Sequence, residues 1–175
     1  MAPGRNLILT GFMGTGKTTV GRGLADRLGM PFIDTDRVIE EQHGPIDRIF
    51  AELGEAEFRE IERSVAVEVS HLDDHVVATG GRMLLDPANL RVLAVSGRIF
   101  CLVASPEEIY RRLSVDGSPA KRPLLATSDP ERRIRELLAE RAAGYGRFTQ
   151  VSTDSRDVAE VVEELVDLWE ADEGS

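Results

Sequence analysis

Lysine is almost absent from this sequence, and acidic residues outnumber basic ones. Of the 21 lysine and arginine residues, only Lys17 and Lys121 are lysines, so each of them invites a specific explanation. The formal net charge of −10 excludes a general nucleic-acid binder and a protein that binds anionic membranes, because both need a basic surface. Any anionic ligand must therefore be held in a local basic pocket.

Cysteine and long hydrophobic runs are also scarce. Cys101 is the one cysteine and lies in the apolar run RIFCLVAS, which predicts a buried, unreactive thiol and is consistent with a reducing compartment. His43, His71 and His75 lack any metal-ligand spacing. The N-terminal apolar run is too short for a signal peptide or a membrane span, so we expect a cytoplasmic protein.

Short apolar runs alternate with helical patterns along the chain. The runs are NLILTG, PFIDTD, HVVATGG, RIFCLVAS and TQVSTD. Helices are predicted over residues 17–28, 36–43, 46–53, 55–72, 87–95, 106–113, 130–143 and 157–169. This alternation predicts an α/β fold with three layers (αβα), in which helices cover both faces of a five-stranded parallel sheet. Residues 1–175 fit a single domain with a frayed tail at about 170–175.

The segment SVDGSPAKRPLLATSD, residues 114–129, interrupts the alternation with glycine, prolines and small polar residues. It is long for a connection in a compact domain, which favours a mobile functional lid over a passive surface loop. Lys121 and Arg122 lie within it. An arginine on a closing loop can neutralise charge on a transferred phosphoryl group, whereas the alternative is a solvated basic tip.

Residues 11–18, GFMGTGKT, match the phosphate-binding pattern G-x-x-x-x-G-K-[ST]. The stretch follows a predicted strand and opens a predicted helix, which is the context that this pattern requires. Glycines let backbone N–H groups turn toward phosphates, and the helix N-terminus adds its dipole. Lysine reaches the terminal phosphates, and the threonine hydroxyl can bind Mg²⁺. The predicted nucleotide-binding residues of this loop are Gly14, Thr15, Gly16, Lys17, Thr18 and Thr19.

Two carboxylates follow the next predicted strand in FIDTD. Asp34 and Asp36 are two residues apart, and strand alternation would put both on one side. One of them can hold Mg²⁺ through water while the other meets a hydroxyl group. The alternative is that Asp36 caps the following helix and Asp34 is solvated.

Arginines recur in three further motifs. EFREIE places Arg59 and Glu62 on one helix face, where such a pair is often only a weak surface contact. HVVATGGR ends a strand on two glycines and Arg82, and ERAAGY places Arg141 near a helix end, where it could merely compensate the helix dipole. Glycines at a strand end let the backbone approach a ligand.

These motifs, in this order along the chain, resemble the shikimate kinase family. The resemblance rests on GFMGTGKT, DTD, EFR, the two glycines after a strand, RPLL and ER before a tyrosine, and covers about residues 6–168. It implies a P-loop kinase of the nucleoside-monophosphate-kinase type. The implied reaction is transfer of the γ-phosphoryl group of ATP, with Mg²⁺, to the 3-hydroxyl of shikimate in chorismate and aromatic amino-acid biosynthesis. The expected partners are ATP or ADP and shikimate, and the expected state is a monomer.

The resemblance also implies roles for individual residues. On the nucleotide side, Lys17 holds phosphates, Thr18 and Asp34 lie at the metal, and Arg122 comes from the lid. Arg111 or Arg112 would lie near the adenine or the phosphates, and Arg156 near adenine. On the acceptor side the implied residues are Asp36 at the hydroxyl, Arg59 and Arg141 at the carboxylate, and Gly80 and Gly81 lining the pocket. The implied catalytic residues are Asp36, Lys17 and Arg122.

Arg82 departs from the resemblance, because the family usually has a third glycine there. One interpretation is that its side chain turns to solvent or to an acidic neighbour; the other is that it joins Arg59 and Arg141 as a substrate-binding residue. Two other functions remain open on the sequence: a kinase acting on another hydroxy acid such as gluconate, and a nucleotide-binding module without transfer activity. Retention of Lys17, both carboxylates of DTD and Arg122 together argues against the second.

Overall fold

A computed structural model describes residues 5–115 and 125–173, with the side chains of the last two of these left out. Its strands are β1 (Asn6–Gly11), β2 (Phe32–Asp34), β3 (Val76–Ala78), β4 (Gly97–Val103) and β5 (Thr149–Ser152). Its helices are α1 (Lys17–Leu28), α2 (Thr35–His43), α3 (Ile46–Ser70), α4 (Pro87–Ser96), α5 (Pro106–Val115), α6 (Pro130–Tyr145) and α7 (Val158–Glu173). A short 3-10 turn covers Met83–Leu85.

The five strands form one parallel sheet in the order β2-β3-β1-β4-β5, which confirms the predicted sheet. Strand β1 lies in the middle and is buried along its whole length. Because all strands run the same way, the segments that follow β1, β2 and β3 meet at one edge of the sheet. In open parallel sheets, ligands bind at the carboxyl ends of the strands, at this kind of edge.

Alternate residues of β1 face opposite layers of helices. Leu7 and Leu9 pack in a cluster with residues of α1 and α7, including Val161 and Leu165. Ile8 packs on the other face with residues of α2, α3 and α4. The predicted αβα arrangement therefore follows from an apolar strand with neighbours on both sides. In the described part of the chain, no helix is long and apolar enough to cross a membrane.

The two helices predicted at 46–53 and 55–72 are confirmed as the two halves of α3, which are separated by a kink at Gly54 with the non-helical angles φ 84° and ψ 172°. Glycine adopts this positive φ without the steric cost that other residues meet. Helix α2 begins at Thr35, one residue earlier than predicted, because the Asp34 side chain accepts hydrogen bonds from the N–H groups of Asp36 and Arg37.

Candidate active site

A cleft of about 390 Å³ opens where the ends of β1, β2 and β3 meet. The loop after β1, the start of α2 and the loop after β3 all line it, and α3 and α6 each contribute an arginine. Of the predicted site residues, those lining the cleft are Gly14, Gly16, Lys17, Thr18, Thr19, Asp34, Asp36, Arg59, Gly80, Gly81, Arg82 and Arg141. Residues from distant parts of the sequence are thus gathered in one place.

The phosphate-binding loop joins β1 to α1. Gly16 precedes α1 in a left-handed conformation with φ 97°, which directs the chain into the helix. Behind the loop, the hydroxyl of the buried Thr15 donates to the carbonyl of Phe12 at 2.7 Å. The ammonium group of Lys17 folds over the loop and donates to the carbonyl oxygens of Gly11 and Phe12, at 2.7 and 3.0 Å. These contacts hold the lysine at the place where phosphates would enter.

A threonine and an aspartate meet beside this loop. The hydroxyl of Thr18 donates to Asp34 Oδ2 at 2.9 Å, while Oδ1 of the same carboxylate caps α2. Asp34, and not Asp36, is therefore the capping residue, and Asp36 lies inside the first turn of α2. Hydroxyl and carboxylate oxygens are the hard ligands that Mg²⁺ prefers, and Mg²⁺ typically takes one or two protein ligands together with phosphates and water. Thr18 and Asp34 fit this pattern.

Asp36 lies against the loop that follows β3. A Cβ atom built on Gly80 would approach Asp36 Oδ1 to 2.8 Å and Glu62 Oε1 to 3.3 Å, so a larger residue would have to displace the Asp36 carboxylate. The N–H of Gly80 donates to Thr35 Oγ1 at 3.0 Å. We expected Gly80 to bring its backbone to a ligand; the structure instead gives its N–H a protein acceptor. Gly80 contributes space for the two carboxylates.

Arg59 and Glu62 form a pair on the face of α3 that borders the cleft. Glu62 is only 2% exposed, and Arg59 donates to its carboxylate and, at 3.1 Å, to Glu55 Oε1. Burial raises the pKa of Glu62, and the charge and hydrogen bond of Arg59 offset part of this effect. The alternative of a weak surface pair is therefore wrong, because one partner is buried and both line the cleft.

Arg141 also lines the cleft, from the last turns of α6. It is 7% exposed, and its guanidinium carbon lies 5.1 Å from the centre of the Phe12 ring. Tyr145 is the last residue of α6, one turn after Arg141, and its hydroxyl donates to the carbonyl of Gly81 at 2.6 Å. Burial raises the pKa of Tyr145, while a hydrogen bond from Arg141 lowers it. The tyrosine thus connects the arginine to the loop after β3.

Arg82 has ordinary backbone angles, φ −106° and ψ −5°, and a half-exposed side chain. Its Nη1 donates to Glu55 Oε1 at 3.1 Å. The interpretation that Arg82 turns to an acidic neighbour is confirmed. Arg82 nevertheless lines the cleft.

A second cavity of about 260 Å³ lies on the far side of the phosphate-binding loop. Arg111, Arg112 and Arg156 all line it. Arg112 donates to the carbonyl oxygens of Gly14, at 3.1 Å, and of Thr153, at 2.7 Å, so it ties the loop to the end of β5. Hydrogen bonds from Arg111 and Arg112 lower the pKa of Glu108 to about 2. Arg112 therefore stabilises the phosphate-binding loop from the side away from the cleft.

Some predicted site residues lie outside the described part of the chain, and two residues at the site were not predicted. Lys121, Arg122 and most of the lid predicted at 114–129 fall outside the described part of the chain. Glu55 and Tyr145 contact site arginines but were not predicted as site residues. Glu55 precedes Arg59 by four residues, and Tyr145 follows Arg141 by four, so helical spacing was the available signal in both cases.

A phosphate-binding loop facing a pocket with a carboxylate and several arginines, on an αβα fold, defines a P-loop kinase. The shikimate kinase family profile matches residues 13–170. A shikimate kinase from Caldanaerobacter subterraneus subsp. tengcongensis is 46% identical over 165 residues, covering 93% of this chain and 94% of that protein. Another from Thermus thermophilus is 44% identical over 170 residues, covering 95% of this chain and 91% of that one.

A solved structure of this family also has the same fold. A shikimate kinase from Acinetobacter baumannii in complex with shikimate superposes with a TM-score of 0.88 and 33% identity, over 97% of this chain and 94% of that one. The chain belongs to the shikimate kinase family, whose activity is the ATP-dependent phosphorylation of shikimate.

Proposed function

We propose that the cleft transfers the γ-phosphoryl group of ATP to the 3-hydroxyl of shikimate. The observation that carries the proposal is the position of Asp36, in one cleft with the phosphate-binding loop, Arg59 and Arg141. A donor bound at the loop and an acceptor bound by the arginines would meet at this carboxylate. Phosphoryl transfer depends mainly on such alignment and on neutralising charge.

On the donor side, the N–H groups of residues 14–19 and the start of α1 surround the phosphates. Lys17 exchanges its contacts with the carbonyl oxygens of Gly11 and Phe12 for contacts with phosphate oxygens. Arg112 keeps the loop in shape from behind, and the cavity lined by Arg112 and Arg156 accepts the adenosine part. Arg122 remains the predicted residue that neutralises the transferred group.

Thr18 and Asp34 would hold Mg²⁺ at the phosphates. The ion would neutralise charge on the phosphate oxygens. Asp34 is suited to support such a site because one of its oxygens is fixed by the start of α2 while the other faces Thr18.

On the acceptor side, Arg59 and Arg141 bind the shikimate carboxylate, since guanidinium groups pair well with carboxylates. Asp36 accepts the hydrogen bond of the 3-hydroxyl and orients its oxygen toward the γ-phosphorus. As the new P–O bond forms, the bond between the γ-phosphorus and the bridging oxygen of ADP breaks, and the hydroxyl proton passes toward Asp36. Gly80 leaves room for this carboxylate beside the acceptor.

A coupled assay of ADP release tests the proposal. With ATP and Mg²⁺ we expect turnover with shikimate, little with gluconate, and only background without an acceptor. Equal rates with all three would point to a nucleotide hydrolase, and preference for gluconate would move the acceptor to another hydroxy acid. We further propose that the protein is a monomer, which sedimentation of the purified chain tests. We also propose that it is cytoplasmic.

A further inference from the structure

Arg82 follows the two glycines after β3 and lines the mouth of the acceptor pocket. Its side chain is 47% exposed, compared with 22% for Arg59, and one of its terminal nitrogens is bound by Glu55. Nothing in the roles proposed above requires an arginine there. Its position beside the binding arginines calls for an explanation.

Glu55 links Arg82 to Arg59. Its Oε1 accepts from Nη1 of Arg82 and from Nη2 of Arg59, each at 3.1 Å. Glu55 is the first residue after the Gly54 kink of α3, whereas Arg82 follows β3, so a single oxygen bridges the helix and the loop. The side chain that binds the substrate carboxylate therefore shares an anion with Arg82.

The formal charges of the side chains around the acceptor cancel. Three arginines (Arg59, Arg82 and Arg141) and three carboxylates (Asp36, Glu55 and Glu62) line this half of the cleft or contact the side chains that do. Without Arg82 this group would carry one net negative charge. The whole chain already has a formal charge of −10, so an excess of negative charge here would oppose an anionic acceptor.

We propose that Arg82 is a positioning residue that neutralises Glu55 and thereby preserves the attraction of Arg59 for the substrate carboxylate. This inference rests on the proposed function. Arg82 acts through Glu55, because its nitrogen is already engaged there. The deeper Arg59 and Arg141 make the direct contacts. Glu55 brings a negative charge to Arg59, and Arg82 offsets that charge, while Arg59 is also held by the buried Glu62.

Calorimetry measures the dissociation constant of shikimate, and kinetics give KM and kcat. Together these values distinguish a positioning role from direct contact with the carboxylate and from no role in acceptor binding. Arg82→Gln should raise the dissociation constant and KM about threefold to fivefold with kcat nearly kept, the scale of a partly exposed charge pair. Arg82→Lys should stay near wild type because it keeps the charge. The decisive variant is Arg82→Gln combined with Glu55→Gln, which removes both charges and should bind within about twofold of wild type.

Each other outcome has a distinct meaning. If the double variant binds as weakly as Arg82→Gln, Arg82 contacts the carboxylate directly and the inference is wrong. If Arg82→Gln binds as wild type does, the arginine has no role in acceptor binding and the inference is also wrong. Arg27→Gln removes an equally exposed arginine paired with Glu163, away from the cleft, and controls for the change in net charge.

The salt dependence provides a further check. The loss in Arg82→Gln should shrink between about 0.05 and 0.5 M salt, because screening weakens an unbalanced charge. A wild-type protein that binds shikimate without turnover would refute the proposed reaction while leaving the binding comparison intact. A wild-type protein that binds no shikimate would refute both.

Discussion

Tyr145 offers the sharpest probe of how the acceptor pocket is held together. Its hydroxyl donates to the carbonyl of Gly81 at 2.6 Å and receives a hydrogen bond from Arg141, and the ring is buried. Tyr145→Phe removes both hydrogen bonds but keeps the ring. The Gly81 carbonyl is only partly buried and can turn to water, so the full penalty of a buried unpaired group does not apply.

We expect Tyr145→Phe to cost about 2 to 4.5 kcal/mol of unfolding free energy, the range for a bond to a neutral group plus one to a charged group. In a chain of this size that lowers the melting temperature by about 4 to 18 °C. Because Arg141 loses its anchor, KM for shikimate should rise about threefold to tenfold, while KM for ATP changes little.

Thermal unfolding followed by circular dichroism and steady-state kinetics measure the two effects. Leu138→Ala is a matched control, because Leu138 lies on the same helix and packs partly buried against the apolar cluster around Tyr145. It should lower the melting temperature without a selective rise in KM for shikimate. If Tyr145→Phe loses stability but leaves KM unchanged, the tyrosine supports the fold alone, and the link from Arg141 to the pocket is refuted.

Three further substitutions test the carboxylates and the glycine between them. Asp36→Asn should lower kcat at least about 100-fold while ATP affinity, measured by calorimetry, is nearly kept; a small loss would assign Asp36 a structural role in α2. Gly80→Ala places a methyl 2.8 Å from Asp36 Oδ1, so kcat/KM for shikimate should fall about tenfold or more, and unchanged kinetics would show that the loop yields. The raised pKa of Glu62 means that the stability associated with its protonated form is present at low pH and is lost as pH rises through the folded-state pKa. Glu62→Gln should therefore gain in melting temperature relative to wild type as pH rises above about 4, the ordinary glutamate pKa, yet bind shikimate more weakly because Arg59 loses its charged partner, and a difference independent of pH would contradict this.

The sheet and the phosphate-binding loop could be predicted because each depends on short stretches of neighbouring residues. The apolar runs mark the strands, and residues 11–18 contain the glycines, lysine and threonine of the loop in sequence order. The placement of Asp34, Asp36 and the glycines after β3 in one site came from the family resemblance, and the structure groups them because parallel strands end at one edge of the sheet.

The prediction of an extended chain through Asp34 and Asp36 was wrong, because a strand and a capped helix compete at this position. Strand alternation predicted that both aspartates point the same way along an extended chain. The Asp34 carboxylate instead captures the N–H groups of Asp36 and Arg37, and the chain turns helical at Thr35. Both carboxylates still reach the cleft, but for a different reason.

Long-range partners were beyond sequence reasoning. The partner of Arg82 is Glu55, which is 27 residues away and reaches it only because α3 and the loop after β3 pack together. The helical spacing of Arg59 and Glu62 gave no sign that Glu62 is buried, since an exposed pair has the same spacing. Glu62 lies close to Gly80, which belongs to another element, and sequence spacing does not show that contact.

The central claim is that Arg59 and Arg141 bind the shikimate carboxylate while Asp36 meets the 3-hydroxyl. A crystal structure of the protein with ADP, Mg²⁺ and shikimate tests it most directly. We predict carboxylate oxygens within about 3 Å of guanidinium nitrogens of both arginines, and the 3-hydroxyl at the same distance from Asp36. A bound shikimate whose carboxylate lies away from both arginines, or whose 3-hydroxyl is out of reach of Asp36, would contradict the account.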